Sequence, residues 1–430
     1  MVMIKLWQGV ANGLAEIVRR VRTPSGLIVQ FSDRTQLAMT PSDTGRASSR
    51  HMKRRYHLNV VFQFMLGYYF CEVIKMNGDY LSKKLFSDVD LSDEFFDSLR
   101  ANYRGFDQWF AKKAREGEKA YVSVEQSGNI NAFLYLKEED GEVLDVEPTL
   151  GNGKHLKVGT FKINAHRAAT GIRFMAIILR KFIIDGFDDV YVTMFPDTVQ
   201  LRKLFQKFGF EEVGKKRSGS KTEIVLLRTQ KATGDIYKDF PKFDFSGHKF
   251  FLPVFPEFHT RMVPESKLYT ERQFVREDVS PANSVMKTYL TSMNGVGELK
   301  HGDKLVLYRT RESGKKAEYN AVATSVCVVD EIRNIFSFPD KKAFLEYTSR
   351  GSVFSIQELT DFWESKKYRY VISFLFNVPL EKRITRHDLF GKGIIDESMR
   401  EKRFNIVEMN GQQFEKLLRI GEVNGRFIIN

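Results

Sequence analysis

The sequence predicts an α/β protein with two folded domains, and three observations carry that expectation. Leu156 to Gly214 reads strand, turn, helix, strand, helix in one continuous run. Strand-like segments separated by turn signals precede it, between Lys119 and Val146. After Arg228, Pro241, Pro253, Pro256 and Pro264 punctuate a Phe-rich stretch, and a new series of elements starts at Lys267. At 430 residues, 42% hydrophobic and 28% charged, the chain can bury more than one core.

Residues 1–75 read as an extension, either disordered or lying ahead of a later start at Met52 or Met76. Net charge is +13, and residues 1–55 hold +7 of it, so the body is only mildly basic. That balance favours an anionic partner such as nucleic acid or a cofactor phosphate. Leu58 to Met76 is the most apolar run, but Asn59, Gln63, Glu72 and Lys75 argue against a membrane span. Cys71 and Cys327 are the only cysteines and lack metal-ligand spacing. Neither a disulfide framework nor a structural zinc site is expected, and a cytoplasmic location is.

From Asp79 the chain reads as globular. Leu91 to Tyr103 and Gly105 to Glu116 are expected helices, with Asp93 as N-cap of the first. Lys119–Gln126, Ile130–Lys137 and Val143–Val146 are expected strands, with turns at Ser127-Gly128 and Asp140-Gly141. Leu156 to Asn164 alternates as a strand, and Ala165 to Thr170 forms a turn. Ile172 to Ile184 carries helical periodicity, Asp189 to Phe195 is a strand, and Thr198 to Phe208 is a helix. A strand feeding a turn and then a helix aims backbone N–H groups and the positive helix end at one spot, which suits a pyrophosphate. Lys221 to Arg228 supplies a last strand.

Residues 230–266 read as an ordered linker, since their aromatics argue against a floppy tether. In residues 267–430, helices are expected at Ala282–Met293, Asp340–Ser349, Ser355–Ser365, Ile384–Phe390 and Gln412–Leu418. Strands are expected at Lys304–Arg309, Tyr319–Ile332 and Tyr368–Phe376.

Two stretches resemble known families. The unit from Leu156, with its closing Leu204-Phe205-Gln206-Lys207-Phe208-Gly209-Phe210, resembles the GNAT family of acetyl-CoA-dependent N-acetyltransferases over roughly residues 79–229. The resemblance implies a GNAT fold, with a mixed central sheet and helices on both faces. The family's signature of Gln or Arg, two residues, Gly, one residue, then Gly or Ala falls on His166, Ala169 and Gly171, and only the last matches. It implies acetyl-CoA as cofactor. The pantetheine arm would bond along the edge of Leu156–Asn164 with Ile163 as contact, and the pyrophosphate would meet His166, Arg167, Ala168, Ala169, Thr170, Gly171 and Ile172. The family's tyrosine, often the acid that reprotonates the thiolate, falls on Phe205, which has no proton to give. Glu147, His155 and His166 flank the strand and are the candidate proton relays, although a lone histidine near a turn is more often a solvated or capping residue.

The second stretch is similar to the PUA-like group, including EVE and ASCH domains. Val306-Leu307-Tyr308-Arg309 begins after Gly302-Asp303, and the returning strand is rich in small and branched residues. That resemblance implies a C-terminal β-barrel with helices, whose pocket takes a base. Tyr308, Arg309, Arg311 and Trp363 combine rings with cations, a pairing that suits unstacked bases, while a solvated hairpin explains the same charges. The combined expectation is an N-acetyltransferase acting on an amine, linked through its barrel to RNA such as a tRNA or an aminoacyl-tRNA. The alternative is a non-catalytic nucleic-acid-binding protein with a degenerate GNAT domain.

Overall fold

The computed structural model describes residues 80–430 except 126, 165–167, 220, 264–284, 350, 353, 402–404 and 430, together with two short strands nearer the N-terminus. The chain divides into two units, Met1–Val73 and Ile74–Asn430. In the first, Gln30–Phe31 pairs antiparallel with Leu37–Ala38. The apolar run 58–76 lies outside the described residues. Among the described residues, no helix is long and apolar enough to cross a membrane.

The second unit begins with β1 (Tyr80–Leu85), α1 (Asp97–Asn102) and α2 (Phe106–Arg115). Then come β2 (Lys119–Val124), β3 (Ile130–Val143), β4 (Leu150–Ile163), α3 (Ala168–Ile184), β5 (Asp189–Met194), α4 (Val199–Lys207), β6 (Glu211–Ser218) and β7 (Lys221–Thr229). They form a seven-stranded sheet in the order β1-β2-β3-β4-β5-β7-β6. Only β4 and β5 run parallel, because α3 carries the chain back between them. Asp93 accepts from Phe95 N–H, as expected of a cap, at a short 3₁₀ turn ahead of α1.

The sheet is packed on both faces. Phe174, Ile178 and Phe182 of α3 meet Leu134, Leu156 and Val192 on one side. Phe96, Phe106 and Phe110 meet Phe133 and Tyr135 on the other. Successive residues of β3 thus feed opposite cores, as strand geometry requires. The expected turn at Asp140-Gly141 is instead part of β3. Gly141 takes φ +97°, and the register with β4 shifts beside it, so the glycine serves a bulge and not a chain reversal.

A second, six-stranded sheet comes next. Its strands are β8 (Lys249–Val254), β9 (Met286–Thr291), β10 (Lys304–Arg309), β11 (Val322–Asn334), β12 (Tyr370–Thr385) and β13 (Val407–Met409). Their order is β9-β12-β11-β10-β8-β13. Helices α5 (Pro256–Met262), α6 (Ala317–Asn320), α7 (Lys341–Thr348), α8 (Ile356–Ser365), α9 (Arg386–Gly391) and α10 (Gly411–Ile420) accompany it. Among the described residues its edge strands β9 and β13 do not pair, so the hydrogen-bonded order is open and no barrel closure is seen.

Two local expectations change here. Residues 286–291 form a strand and not a helix, because all six pair with β12 from Met286↔Leu375 to Thr291↔Tyr370. Within the stretch expected as a linker, β8 pairs parallel with β10 along all six of its residues. The two sheets also share contacts. Arg180 of α3 donates to the Phe376 carbonyl at 3.2 Å, and its guanidinium lies 5.2 Å from the Phe376 ring. Tyr237 donates to Asp330 at 2.8 Å. One apolar cluster runs from Phe174 and Phe210 through Phe240 to Val326 and Leu417.

Candidate active site

The two central parallel strands part company halfway along. β4 and β5 are paired only from His155↔Asp189 to Val158↔Val192. β4 runs on to Ile163 and β5 to Met194 without further partnership. The parting coincides with a bulge. Opposite β3, Tyr135 pairs with Thr160 and Leu136 with Val158, which leaves Gly159 over. A Cβ on Gly159 would stand 2.8 Å from the Tyr135 ring, so this close approach requires glycine. Bulges bend a strand and re-aim it. Beyond the bulge, Thr160 to Ile163 are paired with β3 alone. The gap in pairing leaves their other edge without a strand partner among the described residues, and its backbone polar groups need partners. α3 starts at Ala168, at the same end of β4, and brings its positive pole there.

The residues expected to line this region differ in where they lie. His166 and Arg167 lie outside the described residues. Ala168 and Ala169 begin α3. Thr170 is buried, while Ile163 and Ile172 are half-buried against the core. Gly171 is explained by packing. A Cβ there would lie 3.0 Å from Leu204 Cδ2 and 3.1 Å from Ile163 Cδ1, so the glycine lets α3 sit against β4 and α4. Phe205 is fully buried, with its ring 4.8 Å from Phe210 and 5.8 Å from Phe161, and works as core.

Glu147 and His155 stand elsewhere. Glu147 is exposed, and its backbone exchanges 2.8 Å hydrogen bonds with Lys215 beyond the other end of β4. His155 is buried four residues before Gly159, roughly 13 Å away at ~3.3 Å per strand residue. Its ring is held by Asp189 and by the carbonyls of Gly141 and Gly151. Neither residue is brought to the gap.

Sequence reading passed over the groups that do gather there. At the end of β4, Lys162 donates to Ser98 Oγ at 2.6 Å and to the Phe95 carbonyl, and lies 4.6 Å from the Phe95 ring centroid. Burial lowers its pKa. It borders a 350 Å³ cleft walled by Asp93, Glu94, Asp97, Glu125 and Asn164. An acid-walled cleft favours a cationic guest such as an ammonium. Farther along the same sheet edge, Tyr103 closes α1 and packs on Phe195 at 5.2 Å, near the buried carboxylate of Glu223. Burial and that carboxylate raise the tyrosine pKa.

In the second sheet, Tyr308 is buried beneath Phe251, and Arg309 is buried and paired with Glu312 at 2.8 Å. Arg311 is exposed and donates to the Lys315 carbonyl. Trp363 is half-buried on α8, between Phe344 and the Lys366 ammonium. Tyr308 and Trp363 belong to different apolar clusters and build no common stacking surface. An exposed ring is offered instead by Tyr319, stacked on His387 at 5.5 Å beside Arg400 and Glu318. No group of metal-ligating side chains occurs among the described residues.

No family model matches the chain. No curated protein matches it either. Solved structures align with parts of it at low identity. The ZmASCH protein of Zymomonas mobilis is 14% identical over 40% of this chain and 95% of its own, with a TM-score of 0.26. Arabidopsis thaliana NAA60, in complex with a bisubstrate analogue, is 11% identical over 35% of this chain and 97% of its own, with a TM-score of 0.27. An IAA acetyltransferase from Bacillus cereus is 13% identical over 35% and 97%, with a TM-score of 0.25. The neighbours are thus acetyltransferases and an ASCH protein, each aligned with part of the chain.

Proposed function

We propose that the protein is an acetyl-CoA-dependent N-acetyltransferase, and the parting of β4 from β5 at Gly159 is the observation that carries this reading. A thioester on a long amide-bearing arm needs three things: a strand edge for its amides, a cationic or N–H-rich end for its phosphates, and a second opening for the amine. The free edge of Thr160–Ile163 supports the first, the start of α3 the second, and the acid-walled cleft beside Lys162 the third. Acetyl transfer of this kind needs mainly positioning and proton management. The amine nitrogen attacks the thioester carbonyl, the C–S bond breaks, and the thiolate takes up a proton.

The acceptor we favour is an amine carried on RNA, such as a tRNA or an aminoacyl-tRNA, in a cytoplasmic setting. The second sheet, read as a PUA-like barrel, would be the recognition module; it lies mainly within residues 267–430 and takes β8 from the stretch 230–266. The exposed Tyr319–His387 stack, with Arg311 and Lys316 nearby in sequence, supports stacking and phosphate contact there.

Calorimetric titration of the full chain with acetyl-CoA tests the first reading, alongside Gly159→Val. The expected result is micromolar binding by the wild type and at least tenfold weaker binding by the variant, with helix and strand content unchanged by circular dichroism. No heat of binding by the wild type would sink the enzyme and leave the non-catalytic alternative. RNA affinity that does not fall with added salt would sink the RNA link.

A further inference from the structure

We propose that Lys162 is a modification site of this chain, whose side-chain amine takes the acetyl group of the thioester that the free edge of β4 would hold. The proposal rests on the acetyltransferase reading above and adds one acceptor to it, the protein itself.

Position comes first. Lys162 belongs to the segment Thr160–Ile163, which is paired with β3 and has no pairing with β5. That segment is roughly 10 Å long at ~3.3 Å per residue, so an arm bonded along it passes close to the lysine. Phe161 and Ile163 pack against the core under α3, and strand alternation turns Lys162 to the opposite face, toward α1. There its ammonium donates to Ser98 Oγ at 2.6 Å and to the Phe95 carbonyl, and lies 4.6 Å from the Phe95 ring centroid. The 350 Å³ cleft opens beside it, between Asn129, Ile130 and Asn164. The cleft read above as the way in for an amine therefore already has an amine at its border. A tethered nucleophile meets its electrophile at a high effective concentration.

The charges around the cleft leave this lysine available. Asp93 accepts from the Phe95 and Ile130 backbone N–H groups at 2.8 and 3.1 Å, and Asp97 is paired with Arg100 at 2.6 Å. Among the described residues no carboxylate forms an ion pair with Lys162, and its hydrogen-bond partners are a hydroxyl and a carbonyl oxygen. Burial outweighs the pull of Asp97 and Asp93 and holds its pKa below that of an ordinary lysine. The neutral amine, which is the form that attacks, is more abundant for it. Other half-buried lysines of this sheet differ. Lys157 lies between Glu139 at 3.6 Å and Asp145 at 3.8 Å, where β5 fills the edge of β4. Lys181 is held by Glu138 at 2.7 Å and Asp185 at 2.6 Å.

The step balances without a further reactant. The Lys162 ammonium loses one proton to solvent. Its nitrogen bonds to the thioester carbonyl carbon, the C–S bond breaks, and the leaving thiolate takes up the second N–H proton. The products are an amide on Lys162, the free thiol of coenzyme A and one proton in water. No electrons change hands.

The test incubates the full chain with acetyl-CoA and no added amine. Intact mass is read, and peptides are mapped after hydroxylamine has removed any thioester or ester. The expected result is one stable acetyl group per chain on Lys162, with Lys157 and Lys181 labelled about tenfold more slowly or less. The rate per chain should not change with protein concentration, as an intramolecular step requires. Lys162→Arg keeps the charge and the donors, and should bind acetyl-CoA in calorimetry while losing the label. Acetyl groups spread evenly over the lysines would overturn the proposal. So would a wild type that binds acetyl-CoA and leaves Lys162 bare, and the acetyltransferase reading would survive that result. A wild type that does not bind acetyl-CoA removes both, which keeps the two failures apart.

Discussion

His155 Nδ1 lies 2.8 Å from Asp189 Oδ1, while His155 Nε2 faces the carbonyl oxygens of Gly141 at 2.9 Å and Gly151 at 3.0 Å. Carbonyl oxygens only accept, so Nε2 carries a hydrogen, and the carboxylate favours a second one on Nδ1. Burial by itself would lower this pKa, but Asp189 and the two carbonyls outweigh it and raise it. Both ring nitrogens are engaged and the balance favours the charged form, so the ring is placed for structure and not as a base.

That raised value makes stability depend on pH. The folded state holds the proton more tightly than the unfolded chain, so the stabilisation is fully present below the unfolded pKa of about 6.5. It fades as pH rises through the folded value. The melting temperature of the wild type should therefore exceed that of His155→Gln most at pH 5 to 6, with the gap narrowing above neutrality. A gap that widens with pH would contradict the assignment.

Gly171 separates packing from phosphate binding. Alanine there gains about 1 kcal/mol of helix propensity. It also pushes Leu204 and Ile163 back by a few tenths of an ångström from contacts of 3.0 and 3.1 Å. The two effects should nearly cancel in urea melts. Gly171→Leu should cost about 1–3 kcal/mol by overpacking. Acetyl-CoA affinity of the alanine variant should stay within about threefold in calorimetry, since the glycine serves the seam between α3 and β4.

Arg228 ties β7 both to the end of α4 and to the segment leading into the second sheet. Burial brings its pKa down to about 10, with Asp239 opposing, so it stays charged at neutral pH. It donates to the Phe208 carbonyl at 2.8 Å and the Phe240 carbonyl at 2.7 Å. Arg228→Met strands both acceptors and should cost roughly 2–5 kcal/mol in denaturant unfolding. Lysine should recover only part, because an ammonium lacks the planar fork that spans both oxygens.

Asn131 is fully buried, and among the described residues neither its Oδ1 nor its Nδ2 has a hydrogen-bond partner. An unmade buried hydrogen bond costs about 1–3 kcal/mol, so Asn131→Leu, of similar volume, should hold or raise the melting temperature. A fall of several degrees in differential scanning calorimetry would mean the amide is satisfied in solution.

The central unit was legible because local patterns decide it. α3 and β5 carry their apolar periods openly, and Asp93 caps where its spacing says. Residues 286–291 were misread because their partner, β12, lies some eighty positions away and nothing local announces the pairing. β6 escaped notice because Glu211, Glu212, Lys215, Lys216 and Arg217 make an edge strand look like a loop. The pair of Tyr103 and Glu223 is 120 positions apart in sequence, joined only by topology. The one available signal was a lone acid in the otherwise apolar end of Lys221–Thr229.

The contact of Arg180 with Phe376, and the apolar cluster common to both sheets, bear on more than stability. Two lobes on a flexible tether can each seize a substrate wherever its parts happen to lie. Two lobes grown into each other act as a caliper with fixed jaws. If the proposed acetyltransferase reading holds, a long acceptor gripped at the far sheet would react only where its amine lay at the set span from that grip, so length and bend would be selected along with chemistry.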